Sequence, residues 1–261
     1  MFLPAFQHGT IIVGGDEMRQ RKRPGGNDGL GYYTSWDKSA GKGCIYCGKS
    51  ADTREHAPSK VFLNEPFPEN LPTIPACFEC NNSYSADEKY VACILDVLKS
   101  KIYSNCQLCE TTVTRIEKDE LLKKLIEESV QVNNGRVYFD IDESRLVRIL
   151  VKLARGHAGY EWDYVNFDDE QIKIRYDYLF NLSDDDLHEF NSTTVSLLWP
   201  EVGSRGLLIV EDLETGDASG IAPWNDVQEN QYRYQVDNNE QGGVCAKIVI
   251  YEFLYCQIDF E

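Results

Sequence analysis

An uninterrupted run of eighteen apolar residues is absent from this 261-residue chain, which excludes a membrane-spanning helix of ordinary length. The opening residues, MFLPAFQHGTIIVGGDE, lack a basic stretch followed by an apolar core and a small-residue cleavage site, so a cytoplasmic protein is expected. Internal repeats are missing too, which argues against a solenoid. Positive charge is scarce: 26 Lys and Arg stand against 43 Asp and Glu, a net charge of -17. That deficit opposes unaided binding to nucleic acid, whose phosphates are gripped mainly by Lys and Arg.

What is present describes a globular protein. Hydrophobic residues make up 42% of the chain and aromatics 11%, enough for a sizeable core, and the length accommodates two small domains. The few basic residues are unevenly spread. Residues 1–60 hold nine basic and six acidic side chains, whereas 61–261 hold seventeen and thirty-seven. The run Arg19, Arg21, Lys22, Arg23 before Pro-Gly-Gly is either a phosphate-tracking arm or a solvated one.

The nine cysteines are an odd number, and four of them form two C-x-x-C pairs, Cys44/Cys47 and Cys77/Cys80. Without a secretion signal, such pairs point to thiolate ligands of a structural Zn²⁺ rather than to disulfides. Cys93, Cys245 and Cys256 sit among apolar neighbours and read as small hydrophobes. A third pair, Cys106/Cys109, has no downstream counterpart and reads as a turn.

The chain divides into an irregular leader (1–43), a cysteine module (44–101), a helical region (102–160) and a β-rich C-terminal region (161–261) suited to binding a partner or to regulation. Helical spacing of apolar residues marks a helix from Lys118 to about Val132, ended by Asn133-Asn134-Gly135, and a second over SRLVRILVKLARGHAGYE. RVYFDI between them reads as a strand. On the second helix, which is apolar nearly all round and reads as buried, Lys152, Arg155 and His157 are candidates for a phosphate or partner contact, although Lys and Arg at the rim of a core helix are expected to reach solvent. Asp184-Asp185-Asp186 after Ser183 reads as a helix start. After residue 160, β-branched and aromatic segments separated by Gly, Asn and Asp predict a mostly antiparallel sheet. His8 and His188 suggest no role.

Between the cysteine pairs lies Thr53-Arg54-Glu55-His56-Ala57-Pro58, an acid and a histidine adjacent on an apparent strand. Strand neighbours point to opposite faces, so both serve one site only if the strand ends or bends there, and Pro58 interrupts it. A second extended piece, LPTIPAC, returns to the cysteines. Ser85-Ala86-Asp87-Glu88 then offers a capping box for a helix over DEKYVACILDVLKS. The outline is a β-hairpin, a zinc knuckle and a helix.

These residues resemble the H-N-H endonucleases, also called the His-Me or ββα-metal finger family. The likeness rests on Glu55-His56, Asn70 in Glu-Asn-Leu-Pro and Asn81 in Cys-Asn-Asn-Ser, and it covers about a fifth of the chain. It implies an α+β fold in which a zinc-stapled ββα-metal module precedes helices and an antiparallel C-terminal region. It also implies metal-dependent hydrolysis of DNA phosphodiester bonds. In that scheme His56 is the general base, Glu55 and Asn81 hold one Mg²⁺ or Mn²⁺, and Asn70 orients the loop; Arg54 or Lys60 adds a phosphate contact. Where many members carry Lys or His shortly after the motif, this chain has Tyr84 and Ser85.

By analogy with the family, an effector of bacterial anti-phage defence is expected. With so acidic a remainder, it would act with a protein partner that supplies DNA affinity or control. A non-catalytic zinc module that binds protein or nucleic acid is the alternative. An RNA-cleaving toxin is another, since attack by water does not need the 2′-hydroxyl.

Overall fold

The computed structural model describes residues 43–169, 172–192, 195–196, 208–211, 218–238 and 243–260. Residues 1–42 of the leader, with His8, Arg19, Arg21, Lys22 and Arg23, fall outside them. A short hairpin of β1 (Thr53–His56) and β2 (Thr73–Ala76) leads into helix α1 (Phe78–Ile102), then α2 (Glu110–Lys118) and α3 (Glu120–Ser129). A second hairpin, β3 (Val130–Asn133) and β4 (Arg136–Phe139), precedes the long helix α4 (Glu143–Trp162). The C-terminal part holds β5 (Ile172–Tyr178), α5 (Asp184–Asn191), β6 (Val195–Ser196), β7 (Leu208–Glu211), β8 (Ala218–Ile221), β9 (Asn225–Gln228), β10 (Tyr232–Asn238), β11 (Val244–Ile250) and β12 (Leu254–Phe260). The fold is therefore mixed α and β.

The C-terminal strands form a five-stranded sheet in the order β5-β12-β11-β10-β9 and a three-stranded one in the order β6-β8-β7. Every pairing in them is antiparallel, as the β-branched and aromatic segments between turn residues predicted. The acidic triplet starts α5 through a capping box: the Asp186 amide donates to Ser183 Oγ at 3.1 Å, and the Ser183 amide donates to Asp186 Oδ2 at 2.9 Å.

Local competition overturns three expectations. α1 begins at Phe78, two turns before the predicted cap, because Cys77 Sγ already accepts the Cys80 amide at 3.4 Å. Ser85 then lies inside the helix and bonds back to the Asn82 carbonyl at 2.9 Å. The helix expected from Lys118 onward starts at Glu120, capped by Asp119, and stops at Ser129. Asn133-Asn134-Gly135 is no helix end but the turn of the β3–β4 hairpin, with positive φ at Asn134 (51°) and Gly135 (74°).

Helix α4 is the centre of the molecule. One flank packs on β10, β11 and β12, another on α1, and its middle meets β2. A single hydrophobic cluster, including Leu95 and Leu98 of α1, Ile149 and Leu153 of α4, and Ile248 and Ile258 of the sheet, runs across residues 101 and 160, the points where the sequence suggested divisions. A smaller cluster (Ile45, Tyr46, Ala57, Ile74, Ala76, Tyr160) closes the cysteine module onto α4. That approach depends on glycine: a Cβ at Gly159 would stand 1.9 Å from Ile45 Cδ1.

His157 is fully buried on α4. Its Nε2 shares a 2.7 Å hydrogen bond with the Tyr232 hydroxyl, and its ring stacks on Tyr234 at 3.7 Å. Burial, aided by the charge of Lys152, pulls its pKa down to about 3. Below the ordinary histidine value of about 6.5 the unfolded chain therefore binds the proton and the folded chain does not, so stability falls as pH drops. Urea unfolding should show wild type losing about 2 kcal/mol more than His157→Gln between pH 7 and pH 5. Equal losses would show that His157 does not titrate in this way.

Candidate functional site

The two cysteine pairs meet. The four sulfurs of Cys44, Cys47, Cys77 and Cys80 lie within 4.8 Å of one another, the one such His, Cys, Asp or Glu group among the described residues. All four thiols are free, and Cys47 Sγ is 3.7 Å from Cys77 Sγ. Sulfurs about 2.3 Å from a common tetrahedral centre stand about 3.8 Å apart, so the donor set fits a metal ion such as zinc.

Backbone turns hold the cluster in place. Cys47 and Gly48 amides donate to the Cys44 carbonyl at 3.3 and 2.8 Å, and Gly48 takes φ +72°. Ile45 donates to the Pro75 carbonyl at 3.1 Å, fastening the first knuckle to β2. Cys77 caps α1, where the Cys80 amide lowers its thiol pKa, while burial raises those of Cys44 and Cys80. Thiolates this close repel one another unless a cation stands among them. By contrast, Cys109 Sγ bonds Asn64 Oδ1 at 3.1 Å, the Cys109 residue is the N-cap position of α2 without a side-chain cap bond, and the Cys106 amide closes a turn on the Tyr103 carbonyl at 3.0 Å. Cys93 and Cys256 are buried as expected, while Cys245 is half-buried.

The hairpin sorts its residues by face. His56 pairs with Thr73, Glu55 with Ile74, Arg54 with Pro75 and Thr53 with Ala76. Alternation puts Thr53 and Glu55 on the side of the buried Ile74 and Ala76, and Arg54 and His56 on the other. Glu55 is 6% exposed, whereas Arg54 is exposed and His56 half-buried. The strand thus keeps the acid and the histidine on opposite faces.

On the buried face, sequence reasoning missed the principal feature. Lys152 is 2% exposed, not snorkelling, because α4 lies between the module and the sheet and gives its middle no route to water. Its ammonium contacts one carboxylate oxygen of Glu55 and one of Glu88, and donates to Ser59 Oγ at 2.7 Å. Ser59 Oγ also contacts Glu88 and lies 3.3 Å from Glu55 Oε1. The rings of Tyr84 and Tyr46 stand 5.5 and 5.9 Å from the ammonium. Burial pulls the Lys152 pKa down to about 7 and pushes that of Glu88 up to about 6. The second oxygen of Glu55, Oε2, is buried without a hydrogen bond.

A signal for this arrangement exists in the sequence. Arg145, Arg148, Lys152 and Arg155 recur at helical spacing along one stripe of α4. Arg145 and Arg148 pair with Asp87, Lys152 with Glu88 and Glu55, and Arg155 with Asp169 at 2.6 Å.

On the outer face, no hydrogen bond joins the His56 ring to another described residue. Burial, aided by the charge of Lys60, lowers its pKa from the ordinary value. Lys60 is exposed, its ammonium 5.0 Å from the centre of the Phe67 ring. Asn81 donates from Nδ2 to Thr53 Oγ1 at 3.3 Å, placing it beside the Glu55 side of the hairpin with its amide oxygen left over. Asn70 is exposed on the loop between the strands and makes no bond to His56. The structure therefore brings Asn81 to the hairpin but neither Asn70 nor Glu55 to the histidine ring.

Comparison with family models, with curated proteins and with solved structures finds no match.

Removing one cluster thiol should empty the metal site. Purified wild type should carry about one zinc per chain, Cys80→Ser close to none, and the variant should melt well below wild type. Equal zinc content in the two proteins would rule this site out.

Proposed function

We propose that this chain is a metal-dependent endonuclease of the H-N-H kind, hydrolysing DNA phosphodiester bonds with His56 as general base. The observation that carries the reading is the half-buried His56 at the end of β1, its ring without a hydrogen bond to any described residue, on a hairpin packed against a helix and fastened by four clustered cysteines. Zinc in that cluster would be structural. Two of its sulfurs lie at the start of α1 and two in the turn before β1, and none would take part in the reaction.

A neutral imidazole takes the proton of a water whose oxygen attacks phosphorus, and the bond to the 3′ oxygen breaks as that oxygen gains a proton from solvent. Because its pKa is lowered, the His56 ring stays neutral at pH 7. The groups suited to a divalent ion are the oxygens left over: Glu55 Oε2, buried and without a partner, and the amide oxygen of Asn81. When bound, Mg²⁺ or Mn²⁺ supplies neutralisation of the charge developing on the phosphate. Arg54, on the same face as His56, and Lys60 nearby would meet neighbouring phosphates. Asn70 has no bond to the ring, so its place in the scheme is the loop alone.

The net charge of -17 supports a protein partner that contributes DNA affinity or control, as in a defence effector. One observation favours a non-catalytic zinc module that binds protein or nucleic acid: one oxygen of Glu55 is already held by Lys152.

His56→Ala decides between these readings. It should lower metal-dependent cleavage of supercoiled plasmid about a thousandfold while leaving zinc content and circular dichroism unchanged. Undiminished cleavage by the variant removes His56 from the chemistry. Assaying RNA in parallel separates the toxin reading.

The cleavage rate should also hold to a lower pH than an ordinary histidine allows. Lys60→Gln, by removing a positive charge that opposes protonation of His56, should move the acid limb upward toward about 6.5. An unmoved limb would separate Lys60 from the titrating base.

A further inference from the structure

The side of β1 opposite His56 holds a cluster of which the hydrolysis scheme uses only Glu55 Oε2, leaving Ser59, Glu88 and Lys152 without a role. Glu55 and Ser59 belong to the hairpin segment, Glu88 to α1 and Lys152 to α4, and one ammonium gathers all three oxygens. Glu55 is the residue immediately before His56, and Ser59 follows three positions after it. The segment carrying His56 is therefore clamped on both sides to a helix that belongs to the main core. Aromatic rings wall the clamp, and Lys152 is buried, so solvent does not compete for its bonds.

From this geometry we infer that Lys152 is a positioning residue for the proposed hydrolysis: it ties Glu55 and Ser59 to α1 and α4 and so fixes where His56 stands at the end of β1. The inference rests on His56 being the base. Lys152 itself touches neither substrate nor the attacking water, since it lies on the buried side of the strand. Its effect belongs in turnover, because displacing a catalytic group by about 1 Å can cost on the order of a hundredfold in rate. Substrate affinity, set by the outward cations, should change little.

Charge compensation alone is the simpler role for a buried lysine, and a pair of variants separates the two. Lys152→Met leaves Glu55 and Glu88 facing each other without a cation, and it should lose both melting temperature and turnover. Lys152→Met combined with Glu88→Gln removes the facing charge while keeping a polar group beside Glu55. That double variant, with Glu55 the one carboxylate left in the cluster, should regain part of the lost melting temperature and hold its zinc. Its kcat on plasmid should nevertheless stay about 10- to 100-fold below wild type, with KM for DNA within about twofold.

Recovery of wild-type kcat together with the melting temperature would overturn the inference, leaving Lys152 as a counter-charge only. Loss of turnover matched by an equal rise in KM would overturn it as well. Wild-type protein that cleaves neither DNA nor RNA with any divalent ion would instead overturn the assignment of His56, and this role with it.

Discussion

A lysine ammonium with no path to water governs the way this molecule is assembled. Two carboxylates and one ammonium, shut off beneath the hairpin, each lose several kcal/mol of hydration, and only their mutual contacts offset the loss. Removing one partner from such a group costs about 3–5 kcal/mol, because a buried charge is left uncompensated. With both acids ionised the group carries one surplus negative charge, and one oxygen of Glu55 is left without a hydrogen bond among the described residues. A further cation or a proton is what the group has room for electrostatically. The proposed metal requirement and the fold thus meet at one carboxylate.

The cysteine module is a small structure that leans on a large one. Its own hydrophobic cluster is short of side chains, so it is completed by Tyr160 from α4. Gln228 of β9 adds a second attachment, accepting the Asn64 amide at 2.7 Å and donating to the Asn64 carbonyl at 2.9 Å. The C-terminal sheet, in turn, packs on the other flank of α4. The hairpin is therefore positioned by residues remote in sequence, through one helix that carries cations along one stripe and apolar residues on the rest.

The parts that are legible in the sequence are those decided locally. Cysteine spacing brings four sulfurs together because two tight knuckles leave them few alternatives, and the antiparallel strands after residue 230 follow from β-branched and aromatic segments divided by turn residues. The Ser183 capping box is likewise decided within four residues. What is not legible depends on partners elsewhere in the chain. Lys152 looks like a rim lysine until α4 is seen between two layers, and Ser85 looks like a cap until Cys77 takes that duty two turns earlier. Asn133-Asn134-Gly135 suits a helix end and a hairpin turn equally well, and pairing of β3 with β4 decides it. At the candidate site the opposite faces of Glu55 and His56 were foreseeable from strand geometry, whereas the destination of Glu55 was not.

The absent side chain at Gly159 bears on how such a module can travel between proteins. Ile45 of the first cysteine knuckle sits so close to the backbone of α4 that even a methyl group there would collide with it. A graft of residues 44–101 alone would carry the cysteines and the histidine but leave behind the groove that receives Ile45 and the lysine that anchors Glu55. The smallest transferable piece is therefore discontinuous, hairpin and α1 together with a glycine-bearing α4. Recombination that separates them would deliver the motif without its seat.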